Sequence, residues 1–359
     1  MTTNARDPRA QVDPLEVITG ATGLIGSHVA ELLRSRGERV RALVRPGSDM
    51  RFLRFIGVET AIGDLSDPVS LRAAFDGAAT VYHCAARVGD WGPWKLYRET
   101  VLDATRNVLD ACRDCHVGRV LHVSSINVYG HPRLRPDEWL GEDDPIGRDL
   151  WWWDHYCRAK ILAEGLVREY PGAWTIVRPS WTYGPRDRNT MPRVLEAVSR
   201  GRVAMVGRGD NPLNIVHAAD IADGIVRAAT TPAAVGKVYN LASEGLISQR
   251  ELLDALTTTL GAPPVRRRFP LRLAMAGGFI AELIGRTLHF SRPPRLTRYA
   301  VALLSRTTRF RVDRARDQLG WRPQIHPLEG LRQVLAWYRD KAPLLDSIAP
   351  TPEPDPART

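Results

Sequence analysis

The chain has 359 residues, 44% of them hydrophobic and 25% charged, with a net charge of +10. That is the composition of an ordinary globular protein of one large or two closely joined domains; four cysteines exclude a disulfide scaffold, and no run approaches the ~20 apolar residues of a membrane span. Met1 to Pro14 are polar and lack the apolar core of a secretory leader, so a cytoplasmic address is expected.

In chain order, Leu15–Thr19, Arg39–Val44, Glu59–Ile62, Thr80–His83, Arg119–Ser124 and Trp174–Val177 read as buried strands. Between them, Leu24–Arg36, Val69–Phe75, Tyr97–Cys115 and His155–Tyr170 carry helical periodicity. This alternation predicts an α/β fold, a doubly wound parallel sheet with helices on both faces. Beyond Pro179 the rhythm loosens. Leu213–His217 and Lys237–Leu241, separated by a helix over Asp220–Thr230, are expected to be late strands of the same sheet. The expected organisation is a dinucleotide-binding domain over 15–180 plus 213–244 and a smaller substrate-binding domain over 181–212 plus 245–340. The tails 1–14 and 342–359 are expected to be disordered. Cys112-Arg113-Asp114-Cys115-His116 spells a haem-attachment string, but it falls where a helix leads into a strand, and core and surface cysteines are the expected reading. The positive charge thickens late in the chain, at Arg266, Arg267, Arg268, Arg272, Arg286, Arg292, Arg295 and Arg298. No nucleic-acid-binding motif accompanies it, so a solvated basic face and no nucleic-acid partner are expected.

Thr19-Gly20-Ala21-Thr22-Gly23-Leu24-Ile25-Gly26 joins the first strand to the first helix. Glycines there permit a tight turn and a close approach of backbone to a pyrophosphate at the helix N-terminus, which makes Gly20, Thr22, Gly23, Leu24, Ile25 and Gly26 candidate cofactor contacts. At the end of the second strand a carboxylate would hold the 2′-hydroxyl of NAD, whereas an arginine would accommodate a 2′-phosphate. Val40-Arg41-Ala42-Leu43-Val44-Arg45 offers Arg41 and Arg45 and no carboxylate, which favours NADP(H) over NAD(H). Gly63-Asp64-Leu65 brings Asp64 and Leu65 to the adenine edge, with a turn-forming aspartate as the competing reading.

Tyr156-Cys157-Arg158-Ala159-Lys160 sets a phenol and an ammonium on one helix face, one turn apart. A free phenol with a pKa near ~10 is a poor base at neutral pH, and lowering it by ~3 takes about 4 kcal/mol, expected from Lys160, partial burial and a positive nicotinamide ring together. His122-Val123-Ser124-Ser125-Ile126-Asn127 closes the fifth strand, where ligands bind in such sheets. Ser125 is therefore expected to hold the substrate oxygen while Tyr156 exchanges its proton. No metal site is expected.

In order, the glycine turn, Asp64, His83-Cys84-Ala85-Ala86, Ser125, Tyr156/Lys160 and Arg178-Pro179-Ser180-Trp181-Thr182-Tyr183-Gly184-Pro185 resemble the extended short-chain dehydrogenase/reductase family from about Leu15 to Tyr338. The resemblance implies that Lys160 also grips the nicotinamide ribose, that Ala85 and Ala86 line the cofactor, and that the backbone at Pro179 and Ser180 meets its nicotinamide end. It also implies a homodimer through the helices containing Val101 and Tyr156. The chain departs from the family in having Val101 where an asparagine often stands, which removes a proton relay through that side chain.

Sugar-nucleotide epimerases and dehydratases of this family carry an asparagine where this chain has Trp181, and an arginine where it has Leu213. Arg87-Val88-Gly89-Asp90-Trp91-Gly92, Asn214-Ile215-Val216-His217 and the long apolar and basic C-terminal region are similar instead to the 3β-hydroxysteroid dehydrogenase branch and its β-keto acid reductase relatives. Trp91, Trp94, Trp151, Trp152, Trp153 and Trp181 are expected to rim the active site. With Arg87, Ser125 and Asn127, three of these (Trp91, Trp153 and Trp181) form the candidate substrate contacts for a small hydrophobic substrate. The reading is a secondary alcohol/ketone oxidoreductase. A nucleotide-sugar epimerase or dehydratase with retained NAD and a non-catalytic dinucleotide-sensing regulator are the competing classes. Leu271–Phe290, apolar with Arg272 and Arg286, is expected to cap the substrate pocket, with peripheral membrane contact as the alternative.

Overall fold

Seven parallel strands form the centre of the computed structural model, which describes residues 13–341 except 90, 133, 136, 189, 244, 295, 306 and 307. The tails expected at 1–14 and 342–359 thus lie outside the described residues, apart from Asp13 and Pro14. The strands are β1 (Leu15–Thr19), β2 (Arg39–Val44), β3 (Glu59–Ile62), β4 (Ala78–His83), β5 (Arg119–Val123), β6 (Trp174–Pro179) and Lys237–Leu241, which is β11 in chain order. They lie side by side as β3-β2-β1-β4-β5-β6-β11. The order reverses between β1 and β4, so a crevice opens at the carboxyl ends of those two strands, where such sheets bind ligands.

Nearly every central strand is apolar on both faces because helices cover both. Ile18, Tyr82, Leu121 and Val177 turn to one side, where α1 (Leu24–Ser35) and α8 (Ala218–Thr230) pack. Their neighbours Val17, Val81, Val120 and Ile176 turn to the other, against α3 (Pro68–Phe75), α5 (Ala104–Asp114) and α6 (His155–Glu169). Two short helices complete this half: α2 (Arg51–Phe55), and α4 (Trp94–Tyr97), which continues into α5 through a π-helical segment, Arg98–Asp103. Cys112 is buried in the second cluster and Cys115 lies at its half-buried edge, both as free thiols.

Leu213–His217 departs from expectation, since it does not join the sheet. Asn214 divides it: its side-chain oxygen accepts from the Ser243 N–H at 3.0 Å. Pro212–Leu213 (β9) pairs with Ile247–Ser248 (β12), and Ile215–His217 (β10) pairs with Trp181–Tyr183 (β7). A short apolar run announces burial but not its partner. A further pair joins Met205–Val206 (β8) to Arg268–Phe269 (β13). Around these pairs lie α7 (Met191–Ser199), α9 (Gln249–Leu260), α10 (Leu271–Thr287), α11 (Arg298–Ser305), α12 (Asp313–Leu319) and α13 (Pro327–Ala336). No helix among the described residues is long and apolar enough to cross a membrane.

Candidate active site

The glycine turn is a close-fitting backbone cradle. Gly20 has a φ of +74°, and a Cβ there would lie 2.7 Å from the Ala85 backbone, across the β1/β4 crevice. A Cβ at Gly26 would collide with the Gly20 carbonyl oxygen. Gly23 caps α1 with no side chain of its own, and its N–H donates to the Gly20 carbonyl at 3.0 Å. Thr22, Leu24 and Ile25 complete the turn around an uncapped helix N-terminus with no acidic residue in its first turn, a setting that favours an anion.

At the end of β2 the two arginines part company. Arg41 is tied to Glu59 on β3 at 2.6 Å and to the Ala74 and Asp76 carbonyls, away from the crevice. Arg45 is exposed just beyond the strand. Asp64 accepts from the Ser66 N–H and hydroxyl at 2.9 and 2.6 Å, which together with nearby Arg45 holds its carboxyl below the usual range. The turn-forming role is thus realised, while Leu65 gives its carbonyl to Asn107 Nδ2 at 2.8 Å.

Ser125, Tyr156 and Lys160 come together from two elements. Ser125 follows β5 and caps a short 3-10 turn, its hydroxyl accepting from the Asn127 N–H at 3.2 Å and lying near enough to the Tyr156 phenol to influence its ionisation. Tyr156 and Lys160 lie in the first turns of α6. Asp154 caps that helix through the Cys157 N–H, and its second carboxylate oxygen pairs with His131 Nε2 at 2.7 Å. His131 stacks on Trp151 with ring centroids 3.7 Å apart, which fixes the cap. Lower down, Glu164 grips Arg178 of β6 in a two-pronged buried ion pair at 2.9 and 2.7 Å, clamping the helix to the sheet.

The electrostatics correct one expectation. Burial raises the Tyr156 pKa instead of helping to lower it, because a phenolate loses more hydration than a phenol; Tyr299 adds to the rise and nearby Ser125 opposes it. The Lys160 ammonium, 2% exposed, donates to the Val123 carbonyl at 2.7 Å. Burial brings its pKa down to about 8 against the attraction of Glu164. Two buried imidazoles lie near it, His83 and His122, and burial beside that ammonium holds both neutral, His83 at about 3. His83 bridges Thr19 at 2.8 Å and Thr105 at 3.2 Å. Val101 stands in the π-helical segment and packs in an apolar cluster with Tyr97, Tyr156, Ala159 and Ala163, which Ala86 borders.

Tyr299 of α11 was not foreseen: its hydroxyl accepts from Asn127 Nδ2 at 3.1 Å. It lies 172 residues from Asn127, and no local pattern marks it. The tryptophans divide. Trp91 Nε1 donates to the Phe290 carbonyl at 2.9 Å, and Trp153 Nε1 to Glu282 of α10 at 2.8 Å. Arg286 covers both rings at 4.6 and 5.1 Å. Trp152 is 93% exposed. Trp181 packs beside the core of Met191, Leu213, Ile215, Leu252 and Leu331. Arg87 is exposed and lies over the Tyr97 ring at 5.9 Å.

The residues present fit a dinucleotide. Besides the glycine cradle, the Ser124 and Ser180 hydroxyls are buried at the carboxyl ends of β5 and β6 without a protein partner, as are both nitrogens of His122. Such orphaned groups call for a polar occupant at that edge.

A doubly wound sheet with this turn and this serine–tyrosine–lysine set defines a nicotinamide-dependent enzyme of the extended short-chain dehydrogenase/reductase type. The model of the NAD dependent epimerase/dehydratase family matches residues 17–242, and the chain belongs to that family. It is 31% identical to the 2-alkyl-3-oxoalkanoate reductase of Stenotrophomonas maltophilia (strain K279a) over 89% of this chain and 98% of that protein. It is 29% identical to the 4-hydroxy-2-methyl-3-oxo-4-farnesyl-3,4-dihydroquinoline-1-oxide ketoreductase of Stigmatella aurantiaca over 88% of this chain and 93% of that one. The crystal structure of gox2253 superposes with a TM-score of 0.73 at 30% identity, covering 91% of this chain and 98% of that one.

Proposed function

We propose that this enzyme reduces a ketone to a secondary alcohol on a bulky hydrophobic substrate of the β-keto acyl, polyketide or steroid type. The observation that carries the reading is the convergence of Ser125 and Tyr156 at the carboxyl edge of the sheet, close enough for the serine to favour the phenolate, with Lys160 one turn further along the same helix. When bound, a nicotinamide dinucleotide supplies the hydride. Burial keeps the Tyr156 phenol protonated, which suits a donor to the developing alkoxide, and Ser125 holds the same oxygen. Lys160, Ala85, Ala86, Pro179 and Ser180 would hold the nicotinamide end; the glycine turn would hold the pyrophosphate. Arg45, exposed with no carboxylate beside it on β2, supports NADPH over NADH.

Several features support an apolar substrate. Val101 backs Tyr156 with a hydrocarbon face, Trp91 and Trp153 wall the approach from α10, and Leu213 offers a diphosphate no polar partner. Two relatives named as ketoreductases of 3-oxo compounds point the same way. Four free thiols support a cytoplasmic address, and pairing of two copies through the helical segments containing Val101 and Tyr156 belongs to the same proposal. The test is oxidation of NADPH and NADH by the purified enzyme against 2-alkyl-3-oxo acids, ketosteroids and sugar nucleotides. Turnover of the first or second group with NADPH is expected. Tightly retained NAD with turnover of a sugar nucleotide would replace this reading with an epimerase.

A further inference from the structure

Helix α10 carries its large apolar residues on the outside. Its buried positions are Ala274, Gly278, Glu282 and Gly285, one stripe of mostly small residues. A Cβ at Gly278 would lie 2.9 Å from the Arg298 nitrogen, and one at Gly285 would lie 2.9 Å from the Trp91 ring. Small residues therefore let the helix seat directly on the start of α11 and on Trp91. The opposite face shows Leu273, Ile280, Leu283, Ile284 and Leu288 to solvent, each between 47% and 65% exposed. Spacings of three, four and seven place the first four on one side. Exposed Phe269, Phe290 and Leu296 lie beyond the two ends of the helix. A water-facing surface would be polar there, and a contiguous apolar patch of this kind marks a docking face.

The charge around the patch identifies what it meets. Arg266, Arg267, Arg268 and Arg272 are exposed at its N-terminal end and Arg292 beyond its C-terminal end. From 261 to 298 the one carboxylate is Glu282, buried and bonded to Arg298 and Trp153. A two-fold dimer through this face would set arginines against arginines. Large aliphatic residues rimmed by one sign of charge fit the boundary between anionic headgroups and acyl chains. We propose that α10 lies flat on an anionic bilayer surface, Leu273, Ile280, Leu283 and Ile284 in the acyl boundary and the arginines among the headgroups. Trp91 and Trp153 then lie one helix thickness, about 10 Å, from the lipid. If the proposed reductase reading holds, an apolar substrate reaches the cleft from the membrane; the docking itself does not depend on that reading.

The experiment is flotation of the full chain with phosphatidylcholine vesicles, with and without phosphatidylglycerol, alongside light scattering for oligomeric state. Binding to anionic vesicles is expected, falling at least tenfold in pure phosphatidylcholine and in Leu283→Asp/Ile284→Asp. Arg267→Glu and Arg268→Glu should each weaken it roughly fivefold or more. NADPH binding and thermal melting, expected to be unchanged, show that the variants are folded. Failure to float with anionic vesicles, or flotation indifferent to both lipid charge and the aspartates, overturns the proposal. So does a dimer that Leu283→Asp dissociates while vesicle binding persists, because the face is then a protein interface. None of these outcomes requires a substrate.

Discussion

Replacing Glu164 by glutamine isolates what holds the reactive helix to its sheet. Arg178 is fully buried and gives Glu164 two charge-assisted hydrogen bonds, at 2.9 and 2.7 Å, with a third going to Tyr129 at 2.8 Å. The amide retains one acceptor but turns an NH2 toward a guanidinium, so one of these bonds, about 1.5–3 kcal/mol, is lost and the arginine charge loses its counterion. Breaking one side of a buried pair costs about 3–5 kcal/mol. The expected loss is in that range, read by urea unfolding followed through tryptophan fluorescence. A double substitution, Glu164→Leu with Arg178→Met, removes both charges and should recover most of the loss. A single-variant loss below about 1 kcal/mol, or a double variant as unstable as the single one, would refute the clamp. The same substitution removes the main attraction holding the Lys160 pKa up, so its ammonium should titrate lower still.

Other outcomes follow from the same geometry. Lys160 titrates near about 8 in the fold against 10.5 in an open chain, so the unfolded state holds the extra proton between those values, and stability of the cofactor-free protein gains up to about 3 kcal/mol as pH rises through that window. Unfolding at pH near 8 and near 10 should show this rise in the wild type and lose it in Lys160→Met; an identical slope in both would contradict it. Tyr299→Phe removes the acceptor of Asn127 and a group that raises the Tyr156 pKa, so the Tyr156 limb of the kcat/KM profile should move to lower pH, whereas a merely structural role would leave the profile in place. Arg45→Ala should raise the KM for NADPH by about ten- to a hundredfold and leave NADH little changed, as expected from a lost phosphate contact of about 1.5–3 kcal/mol; an equal effect on both cofactors removes Arg45 from that role.

The fold was legible where physics writes a repeating pattern. Strands β1, β4 and β5 show as near-continuous apolar runs because both faces are covered; Glu59–Ile62 reads as a buried strand but is the half-exposed edge strand β3, and the glycine turn shows because no side chain fits against the Ala85 backbone. Pairing leaves no such mark, so Leu213–His217 reads as part of the main sheet, whereas its actual neighbours, Trp181–Tyr183 and Ile247–Ser248, depend on tertiary contacts. The serine, tyrosine and lysine were readable from spacing and position, but the sign of burial on the phenol was not. Tyr299 reaches the site from α11 through one hydrogen bond and leaves no periodic signal. In α10 the periodicity showed an apolar helix without revealing that the small stripe faces inward and the large one outward.

The proposed reduction needs Tyr156 as its proton donor. Turnover and NADPH affinity should therefore be measured together in Tyr156→Phe, the first by cofactor oxidation with an accepted ketone, the second by fluorescence titration. Loss of general acid catalysis is worth at least ~10²–10⁴ in rate, so turnover should fall by that factor while NADPH binding stays within a few-fold of wild type. Turnover that survives, or binding that collapses in step with it, would contradict the assignment.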